Sequence, residues 1–367
     1  MNGARALYIN GKFLAQRTTG VQRFALGLVT ALDALLVHRS ELSAPILLLP
    51  PGSNRLALQR IEQRECGTNF TSATLWEQVA LPWAARQGTL LCLTGSAPLI
   101  GGIRILTIHD AAIYLYPRAY SLKFVSWYRL LFKLISDSAP ITLTVSAKSA
   151  ADLEEFLPGR QFRVIPNSAE HILHQPADMS VLSLYGLKPQ SYLLAVGSRN
   201  PTKNLDALVR AYHDSGLCPE LDMVFVGGQN QKVFAKSSAD FSLPGLIYTG
   251  AIEDGELRAL YENALALVFP SIYEGFGIPP LEAMTCGCPV VASNASSIPE
   301  VCGDAALYFD PYDQTSMIKT LQDIAKQTNL RAALARKGYA QIKHYSWKRS
   351  AETLVNELLT IGSLTYK

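Results

Sequence analysis

Short apolar, β-branched runs alternate with amphipathic stretches from one end of this 367-residue chain to the other, and nothing else limits its fold as much. In the first half the runs fall at 6–10, 46–50, 90–93, 104–109, 141–145 and 162–166. In the second half they fall at 192–197, 221–227, 246–250, 264–270, 289–293 and 307–310. Between them, stretches such as 203–214, 254–262, 313–326 and 330–344 repeat apolar residues at helical spacing. Runs that are apolar on both faces belong in parallel sheets covered by helices on each side, an α/β architecture. The alternation lapses over 168–190, and the chain is too long for one ordinary core. The expectation is two doubly wound domains, 1–175 and 180–345, with a last helix at 346–361 joined to the first. Ligands of such sheets bind beyond the carboxyl ends of the strands, so both domains are expected to face a central cleft.

Composition narrows the function classes. Hydrophobic residues make up 49% of the chain and charged ones 17%, which suits a packed protein and excludes a disordered or fibrous one. A net charge of +3 is too small to argue for nucleic acid. By half, the charge is about +5 in the first ~178 residues and about −2 in the rest, so a basic face could meet anionic lipid, an acidic acceptor or phosphate. The start, MNGARALYINGKF, lacks the basic-then-apolar run of a signal peptide. The richest apolar stretch, 24–37, is interrupted by Asp33, so no spanning helix is expected. Six scattered cysteines make no disulfide framework. Cys286 and Cys288 have no second pair or histidine cluster to complete a zinc site, so they read as reduced core residues.

The chemistry concentrates in four places. From Phe269 to Pro311 the chain reads FPSIYEGFGIPPLEAMTCGCPVVASNASSIPEVCGDAALYFDP. An apolar strand ends at Pro270 and passes into a loop whose glycines, Gly275 and Gly277, let backbone N–H groups approach a ligand closely. A helix should follow, with Pro279 in its first turn and its positive end forming an anion site. Glu274 stands before the loop and Glu282 eight positions on, so one carboxylate can reach a sugar and the other a ribose diol. In the second place, Arg199 and Lys203 follow the run 192–197 at a strand-to-helix turn, where they would set two cations against a diphosphate. The third is the stretch Thr18, Thr19, Gly20, Val21, Gln22, Arg23, again between a strand and an apolar helix. The fourth is Thr107, Ile108, His109, Asp110 at the end of a buried strand.

On these motifs the chain resembles the family-4 retaining glycosyltransferases with the GT-B fold, two Rossmann-like doubly wound domains. Glu274 and Glu282 carry the paired-glutamate signature in an E-G-F-G-x-P-x-L-E-A-M context. The likeness extends through Gly287-Cys288-Pro289-Val290, the Pro299-Glu300 turn, Arg199 and Lys203, Val145-Ser146, Ile165-Pro166-Asn167, and Trp347 at the last helix. Residues 40–100 match only loosely. The stretches 19–23 and 107–110 are similar to the bacterial mannosyl- and rhamnosyltransferase subgroup of O-antigen and exopolysaccharide synthesis.

The resemblance implies roles residue by residue. Arg199 and Lys203 would bind the diphosphate and stabilise the charge that grows on it, commonly the main source of rate enhancement in an enzyme. Glu274, with the backbone of Gly275, Phe276, Gly277 and Ile278, would grip the transferred sugar, and Glu282 the donor ribose. Gly20 would let its loop close over the phosphates, His109 would contact the sugar near the acceptor, and Tyr248 and Thr249 would line the base pocket. The implied reaction transfers mannose from GDP-mannose to a lipid-linked saccharide with retention, with no side-chain nucleophile, no metal and no cofactor. The base and sugar are not set by these motifs, so a UDP- or dTDP-sugar donor and a catalytically inactive sugar-nucleotide-binding protein stand as alternatives. An epimerase would need an acid/base set in place of the glutamate block, and a dinucleotide oxidoreductase would need a G-x-G-x-x-G after its first strand, which is absent. Segment 120–135 mixes aromatic and aliphatic residues with Lys123, Arg129 and Lys133, which makes it a candidate for peripheral contact with a membrane. The expected location is cytoplasmic, at the inner face of the cytoplasmic membrane; no nucleic-acid partner is expected.

Overall fold

The computed structural model describes residues 6–68, 70, 72–228 and 244–365. The first five residues, part of the stretch read above for a leader, lie outside them. The described chain forms two compact units. One comprises the chain up to Ala111, Ser126–Asn167 and the segment from Trp347 onward; the other comprises Ala112–Val125 and Ser168–Ser346. The stretch 112–125, expected in the first domain, thus packs with the second unit. There Tyr116 stacks at a tilt on Tyr273, with ring centroids 5.4 Å apart, and its hydroxyl lies 3.4 Å from that of Tyr312.

The first unit holds a seven-stranded sheet: β1 Ala6–Asn10, β2 Ile46–Leu49, β3 Glu62–Glu65, β4 Gly88–Cys92, β5 Ile103–Thr107, β6 Thr142–Thr144 and β7 Phe162–Val164. The spatial order is β3-β2-β1-β4-β5-β6-β7, with every pairing parallel. Six of these strands coincide with the apolar runs. The seventh, β3, reads EQRE and lies at the sheet edge with mostly exposed side chains, so it carries no apolar signal.

The second unit holds β8 Tyr192–Val196, β9 Asp222–Val226, β10 Leu246–Gly250, β11 Ala266–Phe269, β12 Val290–Ser293 and β13 Ala306–Phe309. Their order, β10-β9-β8-β11-β12-β13, repeats the first sheet's pattern, again all parallel. All six fall on apolar runs; β8, β11 and β12 are buried nearly throughout, as parallel strands covered on both faces are, whereas the edge strand β10 is half-buried. In each sheet the winding reverses beside the first strand, between β1 and β4 and between β8 and β11. Crevices at such switch points are where these sheets take ligands.

Helix Gly20–His38 is long and apolar enough to cross a membrane by length and composition. Phe24, Ala25, Leu28, Val29 and Leu36 on it are nonetheless wholly buried. Its Asp33 is buried too, accepting backbone N–H bonds from Gln59, Arg60 and Ile61 at 2.7–2.8 Å. These are the marks of a core helix. The last helix, Trp347–Thr360, packs along it inside the first unit, and a Cβ on Gly27 would lie 2.2 Å from the Trp347 indole.

Candidate active site

The switch point of the second sheet brings two loops together. After β8 the chain runs through Gly197 to a 3-10 turn, Pro201–Lys203, started by Asn200, whose Oδ1 accepts the Thr202 N–H at 3.0 Å. Asn204 then takes a left-handed conformation, φ 56°, so the α-helix starts only at Leu205. Lys203, expected inside that helix, therefore sits on the turn. Its loop is seated by two close approaches. Gly227, after β9, adopts φ +153°, and a Cβ there would lie 1.9 Å from the Gly197 carbonyl oxygen. The Ile272 N–H donates to the Thr202 carbonyl at 2.9 Å, joining this loop to the one that follows β11.

That second loop carries Glu274. The Lys203 ammonium donates to Glu274 Oε1 at 2.6 Å, with the two side chains only 21% and 13% exposed. The ammonium also lies 5.8 Å from the Phe269 ring centroid. The glutamate's own backbone is braced: Ser296 and Ser297 hydroxyls donate to its carbonyl at 2.8 and 2.9 Å, and Ser297 reaches the Phe276 carbonyl at 3.1 Å. Gly275, Phe276 and Gly277 are buried, with the Phe276 ring edge-on to Tyr345. Gly277 takes φ 99°, which a side chain rarely adopts, and turns the chain into helix Ile278–Thr285 with Pro279 in its first turn. Pro279 and Pro280 carry no N–H, so the backbone donors that an anion can meet at that end come from Ile278 and the loop before it.

Arg199 and Tyr248 meet on the same side of this unit, the guanidinium carbon 5.3 Å from the ring centroid. The Tyr248 hydroxyl donates to the Gly227 carbonyl, and Thr249 Oγ1 to the Gly250 carbonyl at 3.1 Å. Glu282 is placed less openly than its spacing suggested. It is 4% exposed, and its two oxygens engage His171 and Tyr261. Neither partner belongs to a motif, and His171 lies in the stretch 168–190 that offered no strand.

Gly20 and His109 lie in the first unit. Gly20 opens its helix behind Thr19, whose N–H donates to Gln22 Oε1 at 3.1 Å, a capping arrangement the sequence TTGVQ already carried. His109 follows β5; its Nε2 donates to the Leu93 carbonyl at 2.9 Å, and its ring meets Phe24 edge-on at 5.0 Å. Burial lowers its pKa to about 4, against the pull of the Leu93 bond, so the imidazole is neutral near pH 7. This sheet's switch point also holds a buried polar cluster that no motif announced. Glu77 accepts from Lys12 Nζ at 2.8 Å, from Asn10 at 2.7 Å and from Ser96 at 2.8 Å.

Comparison with known proteins decides the family. The family described as Glycosyl transferases group 1 matches residues 186–341. O-antigen chain mannosyltransferase B of Escherichia coli is 32% identical over 262 residues, 69% of this chain and 69% of that one. The chain belongs to the group 1 glycosyltransferases. O-antigen chain mannosyltransferase RfbU of Salmonella typhimurium is 29% identical over 244 residues, 64% of each chain. Among solved structures, sucrose-phosphate synthase from Thermosynechococcus elongatus matches with a TM-score of 0.73 over 97% of this chain and 99% of that one. At 18% identity that likeness speaks for the fold, which is GT-B. This glycosyltransferase therefore sets its paired glutamates, its lysine and its arginine in one unit, around the second sheet's switch point.

Proposed function

We propose that this glycosyltransferase moves mannose from GDP-mannose onto a lipid-linked saccharide, with retention, in bacterial O-antigen or exopolysaccharide synthesis. The observation that carries the reading is the Lys203–Glu274 pair, 2.6 Å apart beside the N-terminus of helix Ile278–Thr285. A cation, a carboxylate and a set of backbone amides at one point suit a ligand that is anionic at one end and rich in hydroxyls at the other. Lys203 and Arg199 face the diphosphate. As the bond from the anomeric carbon to the phosphate oxygen breaks, its electron pair goes to that oxygen, and the fixed cations stabilise the charge. The acceptor hydroxyl forms the new carbon–oxygen bond on the same face and passes its proton to the leaving phosphate. No protein nucleophile is needed, and with two cations on the diphosphate no metal is required either. Glu274 and the backbone of 275–278 hold the sugar, Glu282 the ribose, and Tyr248 and Thr249 the base. Gly20 and the neutral His109 keep the roles the family resemblance implies, at the phosphates and at the sugar.

Mannose is favoured by the 32% identity to a chain named as an O-antigen mannosyltransferase. Peripheral attachment to the inner face of the cytoplasmic membrane is favoured by helix Leu122–Ser138. One face of it buries Val125, Leu131, Phe132 and Ile135, while Leu122, Trp127, Leu130 and Leu134 stay exposed beside Lys123 and Lys133. The test is thermal stabilisation of the purified chain by GDP, UDP and dTDP and their sugar conjugates, followed by transfer of labelled sugar to lipid-linked saccharide. A shift with GDP and GDP-mannose is expected. A shift with UDP- or dTDP-sugars alone overturns the donor, and no shift with any favours a non-catalytic scaffold or an acceptor-first binding order.

A further inference from the structure

Glu282 is gripped from two sides. His171 Nε2 lies 2.8 Å from its Oε1, and the Tyr261 hydroxyl donates to its Oε2 at 2.9 Å. Bonds at both oxygens fix the plane of the carboxylate, whose terminal torsion is otherwise broad. Both partners are themselves held. Tyr261 is wholly buried on helix Asp254–Asn263. His171 sits in the 3-10 turn Glu170–Leu173, where its carbonyl accepts the His174 N–H at 3.0 Å. Burial first, and then the charge of Glu282, raise the Tyr261 pKa well above its ordinary value, so the hydroxyl stays a donor. The other ring nitrogen of His171, Nδ1, is buried without a hydrogen-bond partner.

This arrangement is unfavourable if it serves packing alone. A buried carboxylate loses its hydration, and apolar residues of similar volume would commonly fill the same space at no loss of stability. Leaving Nδ1 unsatisfied adds a further cost. What the arrangement does secure is orientation. A carboxylate offers about four lone-pair directions, and donors held at both of its oxygens orient it. A group pinned before a ligand arrives loses less freedom when the ligand binds.

We infer that His171 and Tyr261 are positioning residues that preset Glu282 for the vicinal hydroxyls of the donor's ribose. The inference rests on the reading of Glu282 given above. It places part of the nucleotide specificity on the 3-10 turn by which the chain enters the second unit, outside every recognisable motif.

The experiment is calorimetric titration of the full chain with GDP and with 2′,3′-dideoxy-GDP, or with the corresponding UDP pair where GDP does not bind. Wild type, His171→Ala, His171→Gln and Tyr261→Phe are compared. Wild type should prefer the ribonucleotide by about 10-fold or more. His171→Ala should weaken GDP about 10-fold while changing dideoxy-GDP by less than about 2-fold, erasing the preference. His171→Gln, whose amide can replace the Nε2 donor, should restore much of it. Tyr261→Phe removes only a hydroxyl and should erode the same preference, which decides the matter if His171→Ala fails to fold. Equal weakening of both nucleotides, or an intact preference in both folded variants, overturns the positioning role. A wild type that does not distinguish the two nucleotides overturns the ribose reading of Glu282 itself.

Discussion

Replacing Lys203 by methionine separates what the Lys203–Glu274 pair contributes to stability from what it contributes to transfer. Methionine keeps the alkyl stem near Phe269 and removes only the charge. At 2.6 Å and an effective dielectric of ~20 the gross attraction is roughly 6 kcal/mol. Desolvation of two side chains that are only 21% and 13% exposed offsets most of it, leaving about 1.5–3 kcal/mol, as for other charge-assisted hydrogen bonds. Lys203→Met should therefore lower stability by about 2 kcal/mol in urea unfolding without donor, because Glu274 is left half-buried and unpaired. Transfer should fall about 100-fold or more, as when a charge aimed at a developing anion is lost. The double variant Lys203→Met/Glu274→Gln decides between the two contributions. It should regain stability to within about 1 kcal/mol of wild type, since no orphaned charge remains, while transfer stays down by about 100-fold. Recovery of transfer along with stability would refute the reasoning, because the pair would then be structural. Near-normal transfer by Lys203→Met alone would refute it as well.

Other expectations follow from single features. His109 titrates at about 4 when folded, below the usual histidine value, so the unfolded chain takes up its proton first as pH falls. Its contribution to stability is intact above about pH 6.5 and is lost progressively toward pH 4, by on the order of 3 kcal/mol; His109→Gln should flatten that part of the pH–stability curve. Gly227→Ala drives a Cβ to 1.9 Å from the Gly197 carbonyl, so it should cost about 2 kcal/mol or more and abolish nucleotide stabilisation. Gly186→Ala, at φ +64° with nothing within 4 Å of the added carbon, should cost about 1 kcal/mol of backbone strain without a clash and leave nucleotide stabilisation in place, which makes it the control. Reversing Lys123, Arg129 and Lys133 to glutamate should cut sedimentation with anionic phosphatidylglycerol vesicles about 100-fold, at about 1 kcal/mol for each charge lost; a wild type that does not sediment sinks the membrane reading. Transfer should proceed unchanged in EDTA, and strict dependence on added Mg²⁺ would overturn the metal-free scheme.

The second sheet was readable strand by strand because its inner strands β8, β11 and β12 are buried on both faces and apolar, while the half-buried edge strand β10, LIYTG, still opens with apolar residues. β3 escaped because an edge strand with exposed side chains, EQRE, needs no apolar residue. The apolar spacing of 203–214 runs through Lys203 and points to a helix there, whereas one left-handed residue, Asn204, delays the helix to Leu205. Glu274 and Arg199 could be named as candidates because each lies close to a glycine in a loop that follows a strand, and Glu282 and Lys203 because of their spacing from those two. His171, Tyr261, Ser296 and Ser297 could not. Their importance comes from distances across the fold, 111 positions in the case of His171 and Glu282, and no local pattern encodes such a meeting. The Lys12–Glu77 pair, 65 positions apart, escaped for the same reason.

Trp347 lies against Gly27, Ser350 donates to the Pro166 carbonyl at 2.7 Å, and Arg163 pairs with Glu357 at 3.0 Å. The last helix thus belongs with the first sheet although the whole second sheet separates them along the chain. For anyone recombining members of this family this fixes where chimeras can be cut. The second unit is not a C-terminal module with one seam: it takes in 112–125 as well as 168–346, so the chain passes between the units near 111, 125, 167 and 346. An exchange made at 167 alone would import a foreign tryptophan and a foreign serine against Gly27 and Pro166. A graft of 112–125 together with 168–346 leaves that docking surface with its native helix, and the first unit keeps its own core.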